Sequence, residues 1–320
     1  MVEKIGVPRG MLYYEFYPIW ERYFKELDYE LVSSPNTNKD ILNMGIHSSV
    51  DEACLPVKIF HGHVEYLKDK VDYLFIPKII SIYKKEYCCP KILGLPDMIK
   101  HSINELPEII DVQLNLFKRN NFKRHFSDIG ERLNIERREN VRAYKNAIKD
   151  PDIQNKWIRE KIIGNEDNRI GSNEINILLL GHSYNVYDNF INMNIINKLR
   201  DMNINIIVSD DINNSDIREY SNKIPKRMFW THGRKTTGSA FKLMDEGKID
   251  GIIYLSSFGC GLDSILSYIV SHKATEHNIP IMELTLDEQT GEAGFDTRIE
   301  AFLDMMKWRD RSEDNIPSFR

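Results

Sequence analysis

Short, nearly continuous apolar runs limit the possible folds of this chain more than any other feature. Clear cases are DYLFIPKII at 72–80, INILLLG at 175–181 and DGIIYLSS at 250–257. A strand with one face in water alternates apolar and polar residues, whereas a strand that is apolar throughout is buried on both faces. Since amphipathic helical stretches separate these runs, the pattern predicts parallel sheets covered by helices on both sides.

The strand and helix signals fall into two blocks separated by a polar stretch. The first block predicts strands and helices at 4–8, 13–28, 29–34, 38–46 and 72–80. The second block predicts alternating strands and helices at 175–181, 187–202, 203–210, 236–247, 250–257, 262–277, 279–285 and 296–309. The stretch between the blocks is rich in Arg, Lys, Asn and Glu and has helical periodicity.

These blocks predict an α/β protein with two Rossmann-like parallel-sheet domains joined by a helical segment. The expected limits are 1–100 for the first α/β domain, 101–170 for the helical connector, and 171–320 for the second α/β domain with its C-terminal helix. Ligands of such sheets bind at the carboxyl ends of the strands, where the loops gather. A cleft between the two domains is therefore the expected place for a functional site.

Charge and hydropathy exclude two classes of partner. The 320 residues include 43 basic and 48 acidic side chains, so the formal charge of −5 gives no basic excess to attract nucleic acid. No run approaches the roughly 18 apolar residues that cross a bilayer, so no membrane association is expected. The first residues, MVEKIGVPRG, begin a strand rather than a signal peptide, and we expect a cytoplasmic protein.

The four cysteines are the residues with the clearest chemical potential. Cys54, Cys88, Cys89 and Cys260 would be reduced in the cytoplasm, where stable disulfides are rare. A free cysteine is most often a small buried hydrophobic residue. Three of the four nevertheless stand in loops shaped by proline or glycine, which let backbone N–H groups approach a sulfur atom.

The spacing of the cysteines bears on which metal they suit. A structural zinc site usually draws on two close Cys-x-x-Cys pairs, and this chain has none. Adjacent side chains diverge, so one of Cys88 and Cys89 is expected to stay outside any site. Three separate thiolates then remain, a number that suits a [4Fe–4S] cluster with one iron not held by cysteine. Such an iron could bind substrate or water.

The segment GHSYNVYD follows a predicted strand and opens a helix. This is the position of a functional loop in a doubly wound sheet, and it carries His182, Ser183, Tyr184 and Asn185. Two interpretations stand side by side for it. Either these side chains line the cleft, or Ser183 or Asp188 simply caps the helix.

Other polar residues are also open to two interpretations. Asp287 and Glu288 are either acid and base groups or solvated and capping carboxylates in a long polar loop at 286–298, and Arg298 either reaches the cleft or pairs on the surface. The histidines of HGH at 61–63 diverge on a helix, so we expect surface or capping groups rather than metal ligands. HGRKTTGSA at 232–240 lacks the spacing of a phosphate-binding loop.

Five segments in order resemble the 2-hydroxyacyl-CoA dehydratase component superfamily, in particular its activase-associated branch. The resemblance extends from about residue 4 to residue 310 and is weakest in the helical middle. The segments that carry it are DEACLPVK, EYCCPKILGLPDM, GHSYNVYD, SSFGCGLDS and LTLDEQTGEAGFDTRIEAFLD.

The resemblance implies an oxygen-sensitive [4Fe–4S] cluster held by three cysteines between two α/β domains. Position by position, the ligands correspond to Cys54, Cys89 and Cys260, with Cys88 as the additional cysteine. It also implies an ATP-hydrolysing activase that supplies low-potential electrons, and a lyase or reductase reaction on a small substrate. The alternative is a non-catalytic electron-transfer or scaffold subunit that docks an activase.

This chain departs from the best-characterised dehydratases in being short and single, because those work as two related subunits. A homodimer is one way to restore that arrangement. Related proteins hold double clusters, which need six cysteine ligands. The four cysteines of this chain are too few for one. A double cluster would therefore require two chains.

Overall fold

The computed structural model describes residues 2–117, 122–163 and 175–313. The N-terminal part holds a four-stranded parallel sheet in the order β2-β1-β3-β5, and β4 and β6 form a separate parallel pair. The strands are β1 (Lys4–Val7), β2 (Glu30–Ser33), β3 (Tyr73–Phe75), β4 (Lys78–Ser81), β5 (Glu108–Ile110) and β6 (Gln113–Asn115).

Helices cover this first sheet, and the helices of the middle stretch pack back onto it. They are α1 (Tyr13–Lys25), α2 (Lys39–His47), α3 (Leu55–Leu67), α4 (Pro90–Leu93), α5 (Leu95–Ser102), α6 (Phe122–Arg132), α7 (Arg137–Ala147) and α8 (Ile153–Ile158), with a π-helical turn at Arg159–Ile163. Helices α7 and α8 contact α1. The aromatic residues of α1, among them Tyr23 and Phe24, are buried in the core, as their helical spacing predicts.

The second sheet is also parallel and has the order β10-β9-β7-β8. Its strands are β7 (Asn176–Gly181), β8 (Asn205–Val208), β9 (Gly251–Ser257) and β10 (Ile281–Leu286). Its helices are α9 (Ser183–Val186), α10 (Ile195–Asp201), α11 (Asn214–Ser221), α12 (Thr231–Asp245), α13 (Gly261–Glu276) and α14 (Glu292–Glu313). Across the described ranges, no helix combines the length and apolar character needed to cross a membrane.

Both four-stranded sheets follow the same connection order. In each, the first strand lies between the second and the third, and the fourth lies outside the third. The strand order thus switches direction at the first strand. This switch leaves a crevice at the carboxyl ends of the first and third strands. In the second sheet these are β7 and β9, and the loops that follow them carry the GHSYNVYD segment and Cys260.

The continuous apolar character of the strands is explained by burial on two faces. Ile177 and Leu179 of β7 belong to the main core, which extends through both sheets. Leu178 and Leu180 point the other way, into a second core formed with α12 and α13. Each fully buried side chain of this size contributes about 1.5–3 kcal/mol of apolar burial, so a polar residue at any of these positions would weaken the sheet.

The predicted α/β class with Rossmann-like parallel sheets is confirmed, while several predicted elements differ. The run at 72–80 forms two strands in different sheets, because Pro77 lies between β3 and β4 and cannot donate to a ladder. Within 101–170, β5 and β6 are strands rather than helix. The helix predicted at 187–202 is confined to α10, and the expected loop at 286–298 ends where α14 begins. The domain limits stay predictions, and residues 118–121, 164–174 and 314–320 of those ranges lie outside the described residues.

The surface location predicted for the HGH histidines is wrong, since His61 and His63 are both buried. Gly62 between them packs directly against α2, where a Cβ atom would overlap the carbonyl oxygen of Ile41. Gly45 of α2 makes the reciprocal contact with the backbone of α3. The motif is therefore explained by a close helix crossing, with a histidine packed on each side of it.

We predict that Gly62→Ala separates α2 from α3 and lowers the free energy of unfolding by about 3 kcal/mol, because backbone atoms cannot move aside as a flexible side chain can. The matched control is Gly291→Ala, where a Cβ atom meets open space. It should change stability by less than about 0.5 kcal/mol. Urea unfolding measures both, and equal stability of the two variants would contradict the close crossing.

His125 of α6 is a buried histidine that links this helix to β6. Its Nδ1 atom lies 3.1 Å from the carbonyl oxygen of Gln113, and its Nε2 atom has no hydrogen-bond partner. Burial lowers the pKa of His125 to about 4. Between that value and about 6.5 the unfolded chain binds a proton that the folded protein does not.

Stability should therefore fall as the pH drops from 6.5 towards 4, with His125 contributing up to about 1.4 kcal/mol per pH unit. His125→Gln keeps a donor for Gln113 but cannot titrate. We expect its unfolding free energy to fall less steeply than that of the wild-type protein over this range. Urea unfolding at pH 4.5, 5.5 and 6.5 measures the free energy of unfolding of both proteins. An equal fall with pH in the two proteins would rule out this contribution.

Candidate functional site

Cys54, Cys89 and Cys260 share one structural position, since each is the residue immediately before a helix. They precede α3, α4 and α13, respectively. Cys54 and Cys89 have nearly the same extended backbone, with ψ of 152° and 154°. Pro56 and Pro90 follow in the first turn of their helices, where the missing N–H of proline has no partner to lose.

The helix starts provide polar groups that face the sulfur atoms. Burial is the largest influence on the three thiols and raises the pKa of each, for Cys260 to about 12. The backbone N–H three residues further on acts in the opposite direction and lowers the pKa in each case, from Val57, Ile92 and Asp263. A bound cation that replaces the thiol proton would remove the cost of burial and keep the favourable N–H contacts.

The three thiols are close enough to interact through their charges. After burial, the neighbouring Cys54 thiol is among the groups that raise the pKa of both Cys89 and Cys260. The loops that carry the first two are also tied together, because Lys91 Nζ donates to the carbonyl oxygen of Glu52 at 3.4 Å. The structure thus brings together cysteines from three distant segments of the chain.

Cys88 lies apart from this group. Its side chain is only 3% exposed and packs in the main core. Its backbone N–H donates to the carbonyl oxygen of Ile80 at 3.0 Å, and burial raises the pKa of its thiol well above the usual value. Cys88 therefore fills the core, while Cys89 is partly exposed.

The loop before Cys89 is fixed to the second half of the protein by backbone hydrogen bonds. Tyr87 N–H donates to Phe229 O at 2.7 Å, and Thr231 N–H donates to Tyr87 O at 3.1 Å. Next to this bridge, Arg234 and Glu86 form a buried ion pair at 2.7 Å. These contacts place the end of the KKEYCCPK stretch against the start of α12.

A histidine and an aspartate accompany Cys260. One ligand atom from each of His182, Cys260 and Asp263 lies within 4.8 Å of the other two. His182 Nδ1 is 2.9 Å from Asp263 Oδ1, which also accepts a hydrogen bond from Tyr254 at 3.1 Å. Ser257 N–H donates to the second carboxylate oxygen at 3.3 Å, so Asp263 is held rigidly and in turn orients His182.

Asp263 was missed by the sequence reasoning, although a signal for it exists. It stands three residues after Cys260, at the position in the first helical turn where acidic side chains are favoured by the helix dipole. Although burial opposes it, the neighbouring His182 lowers the pKa of the Asp263 carboxyl group. What the sequence does not contain is the distance to His182, which depends on β7 and β9 being neighbours.

Each of the two interpretations of the GHSYNVYD segment holds for some of its residues. His182 and Tyr184 line the site, with their rings stacked at 5.0 Å and nearly parallel, and His232 packs edge-on against His182 at 4.6 Å. Ser183 instead donates to Glu15 of α1 at 3.0 Å.

Asp188 has the capping role and also joins the two halves. Its Oδ1 atom accepts the backbone N–H groups of Phe190 and Ile191. Its Oδ2 atom accepts the hydroxyl groups of Tyr14 and Thr37. All of these oxygens are buried, so Asp188 is a structural link between the sheets rather than a free carboxylate.

The loop after β10 supplies an ion pair between the halves. Glu288 Oε1 lies 2.6 Å from Nζ of Lys58, whose side chain is 5% exposed while that of Glu288 is 29% exposed. The Lys58 ammonium group lowers the pKa of Glu288. Asp287 instead caps its own turn by accepting Gln289 N–H at 2.8 Å, and Arg298 donates to a backbone carbonyl rather than reaching the site.

Removing Glu288 should cost more than removing Lys58, because Glu288→Gln leaves a buried ammonium group without its counter-ion. We expect Glu288→Gln to lower the free energy of unfolding by roughly 2 kcal/mol, less than for a fully buried pair because Glu288 is partly hydrated. Lys58→Met leaves only a carboxylate that water can reach, and it should cost less. Urea unfolding of both variants tests the order, and a larger loss for Lys58→Met would contradict it.

Comparison with protein families assigns the chain. No curated protein matches it. Residues 190–306, which include Cys260, match the model of the 2-hydroxyglutaryl-CoA dehydratase D-component. Residues 4–212, which include Cys54 and Cys89 and make up more than half of the chain, match the model of the CoA enzyme activase uncharacterised domain, DUF2229. The chain therefore belongs to the family of this CoA enzyme activase domain, among the proteins related to the 2-hydroxyacyl-CoA dehydratases.

Proposed function

We propose that this protein is a [4Fe–4S] protein of the 2-hydroxyacyl-CoA dehydratase type that accepts low-potential electrons. Cys54, Cys89 and Cys260 would hold the cluster. The observation that carries the proposal is the meeting of three thiols, each at the start of a different helix, from remote parts of the chain.

The donor set fits an iron–sulfur cluster better than a single metal ion. Within the described residues, His182, Cys260 and Asp263 form the one group of His, Cys, Asp or Glu side chains close enough for a single ion. Cys54 and Cys89 stand outside that group, as expected if the three sulfur atoms bind separate corners of a larger cofactor. When bound, such a cluster stores and passes one electron.

The surroundings of the thiols suit an anionic centre. Three helix starts direct backbone N–H groups and the positive end of the helix dipole towards it. All four cysteines are free thiols, so the ligands are available for metal. The proposal requires a reducing compartment such as the cytoplasm, and it implies that oxygen damages the loaded protein.

We propose an ATP-hydrolysing activase as the electron donor. The matched family is described as a CoA enzyme activase domain, which supports this partnership. Cys89 and Cys260 are partly exposed, whereas Cys54 and Cys88 are buried. Electrons would therefore enter on the side of Cys89 and Cys260.

Two uses of the electron are distinguished by the space beside the cluster ligands. A dehydratase-type lyase or a reductase needs room for a small substrate at the iron that no cysteine holds. A carrier or scaffold subunit needs none. The close packing of His182, Tyr184 and Asp263 favours the carrier.

Iron and acid-labile sulfide analysis after anaerobic purification tests the ligand set. We expect Cys54→Ala, Cys89→Ala and Cys260→Ala each to lose most of the iron and the visible sulfide-to-iron absorption. Cys88→Ala is the matched control, and it should keep a full complement because Cys88, unlike the other three, does not stand immediately before a helix. A full iron content in any of the first three variants would overturn that ligand.

The same preparations address assembly and oxygen sensitivity. Light scattering of the loaded protein gives the number of chains, which tests the expected homodimer. Bleaching of the absorption in air measures the sensitivity to oxygen. Iron content alone does not identify a double cluster, because two single [4Fe–4S] clusters also give about eight irons for two chains.

A further inference from the structure

The hydroxyl group of Tyr184 is a hydrogen-bond donor that the protein does not use. The side chain is only 5% exposed. Within the described residues, no group accepts a hydrogen bond from this hydroxyl. The hydroxyl oxygen is not among the fully enclosed side-chain atoms that lack a hydrogen-bond partner, so it reaches the surface of the site and is open to a group bound there.

The ring of Tyr184 is held in place from two sides. It stacks on His182 with the ring centres 5.0 Å apart and an angle of 6° between the planes, and His232 packs against it at 6.1 Å. His182 is in turn fixed by Asp263 at 2.9 Å. Because a ligand atom of His182 lies within 4.8 Å of the Cys260 sulfur, the stacked pair stands beside the cysteines.

The Tyr184 side chain lies beside Cys260, because it stacks on His182, one ligand atom of which is within 4.8 Å of the Cys260 sulfur. Burial is the main cause that raises the pKa of Tyr184, and charges on Cys89, Asp263, Cys260 and Cys54 follow it. Burial and nearby negative charge both disfavour the charged phenolate form of Tyr184. It is therefore present as a neutral O–H group that can donate to a sulfur atom or to a molecule bound beside it.

We propose that Tyr184 donates a hydrogen bond to the group held among Cys54, Cys89 and Cys260 and thereby raises its reduction potential. This inference rests on the proposed function. Reduction adds a negative charge to the group, and a hydrogen-bond donor stabilises the more negative state more strongly. Tyr184 is thus a positioning and tuning residue, and it supplies no ligand atom.

Tyr187 provides a matched control in the same segment. It is also a buried tyrosine, but its hydroxyl donates to Asp210. Asp210 pairs with Lys235 at 2.7 Å on the far side of His232. Removing the Tyr187 hydroxyl therefore perturbs a buried hydrogen bond without removing a donor from the three thiols.

The experiment compares wild-type protein, Tyr184→Phe and Tyr187→Phe after anaerobic purification. Iron and sulfide are measured first, followed by the midpoint potential in a dye-mediated titration and the electron paramagnetic resonance spectrum of the reduced protein. Tyr184→Phe keeps the ring that stacks on His182, so we expect full iron content, a lower midpoint potential and shifted g values. Tyr187→Phe should match the wild-type protein in potential and spectrum.

Three results would overturn the inference. They are an unchanged potential in Tyr184→Phe with its iron retained, an equal shift in Tyr187→Phe, and loss of iron from Tyr184→Phe alone, which would make the residue necessary for binding rather than for tuning. Failure of the proposed function gives a different result, because the wild-type protein itself would then contain no iron or sulfide.

Discussion

The geometry of the site depends on how a parallel sheet directs its helices. A helix that follows a parallel strand begins at the carboxyl edge of the sheet, so its free N–H groups are presented there. β7 and β9 are neighbours, and the helices after them begin with His182 and Cys260 as the preceding residues. In the first half of the chain Cys54 and Cys89 also stand immediately before helices, α3 and α4, although α3 follows another helix rather than a strand. Four candidate site residues thus occupy equivalent positions before four helices.

Polar contacts act together with the shared apolar core to set how the halves meet around this site. Arg234 and Glu86 form a buried ion pair, Asp188 collects hydroxyl groups from the first half, and Lys58 reaches Glu288. Buried charges are costly unless paired, so each contact tolerates only a narrow range of arrangements. Such contacts specify the relative placement of two surfaces more strictly than apolar packing, which accepts many orientations.

The sequence predicted the parts of the structure that depend on local pattern. The strands β7 and β9 and the start of α13 at Cys260 followed from apolar runs and glycines. The buried HGH histidines did not follow, because their burial comes from the crossing of α2 and α3, a contact between helices. Asp263 and the unused hydroxyl of Tyr184 were likewise hidden, since their roles depend on neighbours brought together by strand order. The position of Cys260 beyond β9 was predictable because the loops at strand ends of a parallel sheet share an edge.

The division of the cysteines between the two sheets has a consequence for biosynthesis. Cys54 and Cys89 leave the ribosome early, whereas Cys260 follows only after most of the second sheet has been made. Since N-terminal units begin to fold during translation, a nascent chain presents two thiols at a half-built pocket for a considerable time. For the proposed cluster, the third ligand would become available only after translation of nearly the whole chain, so its assembly would follow synthesis.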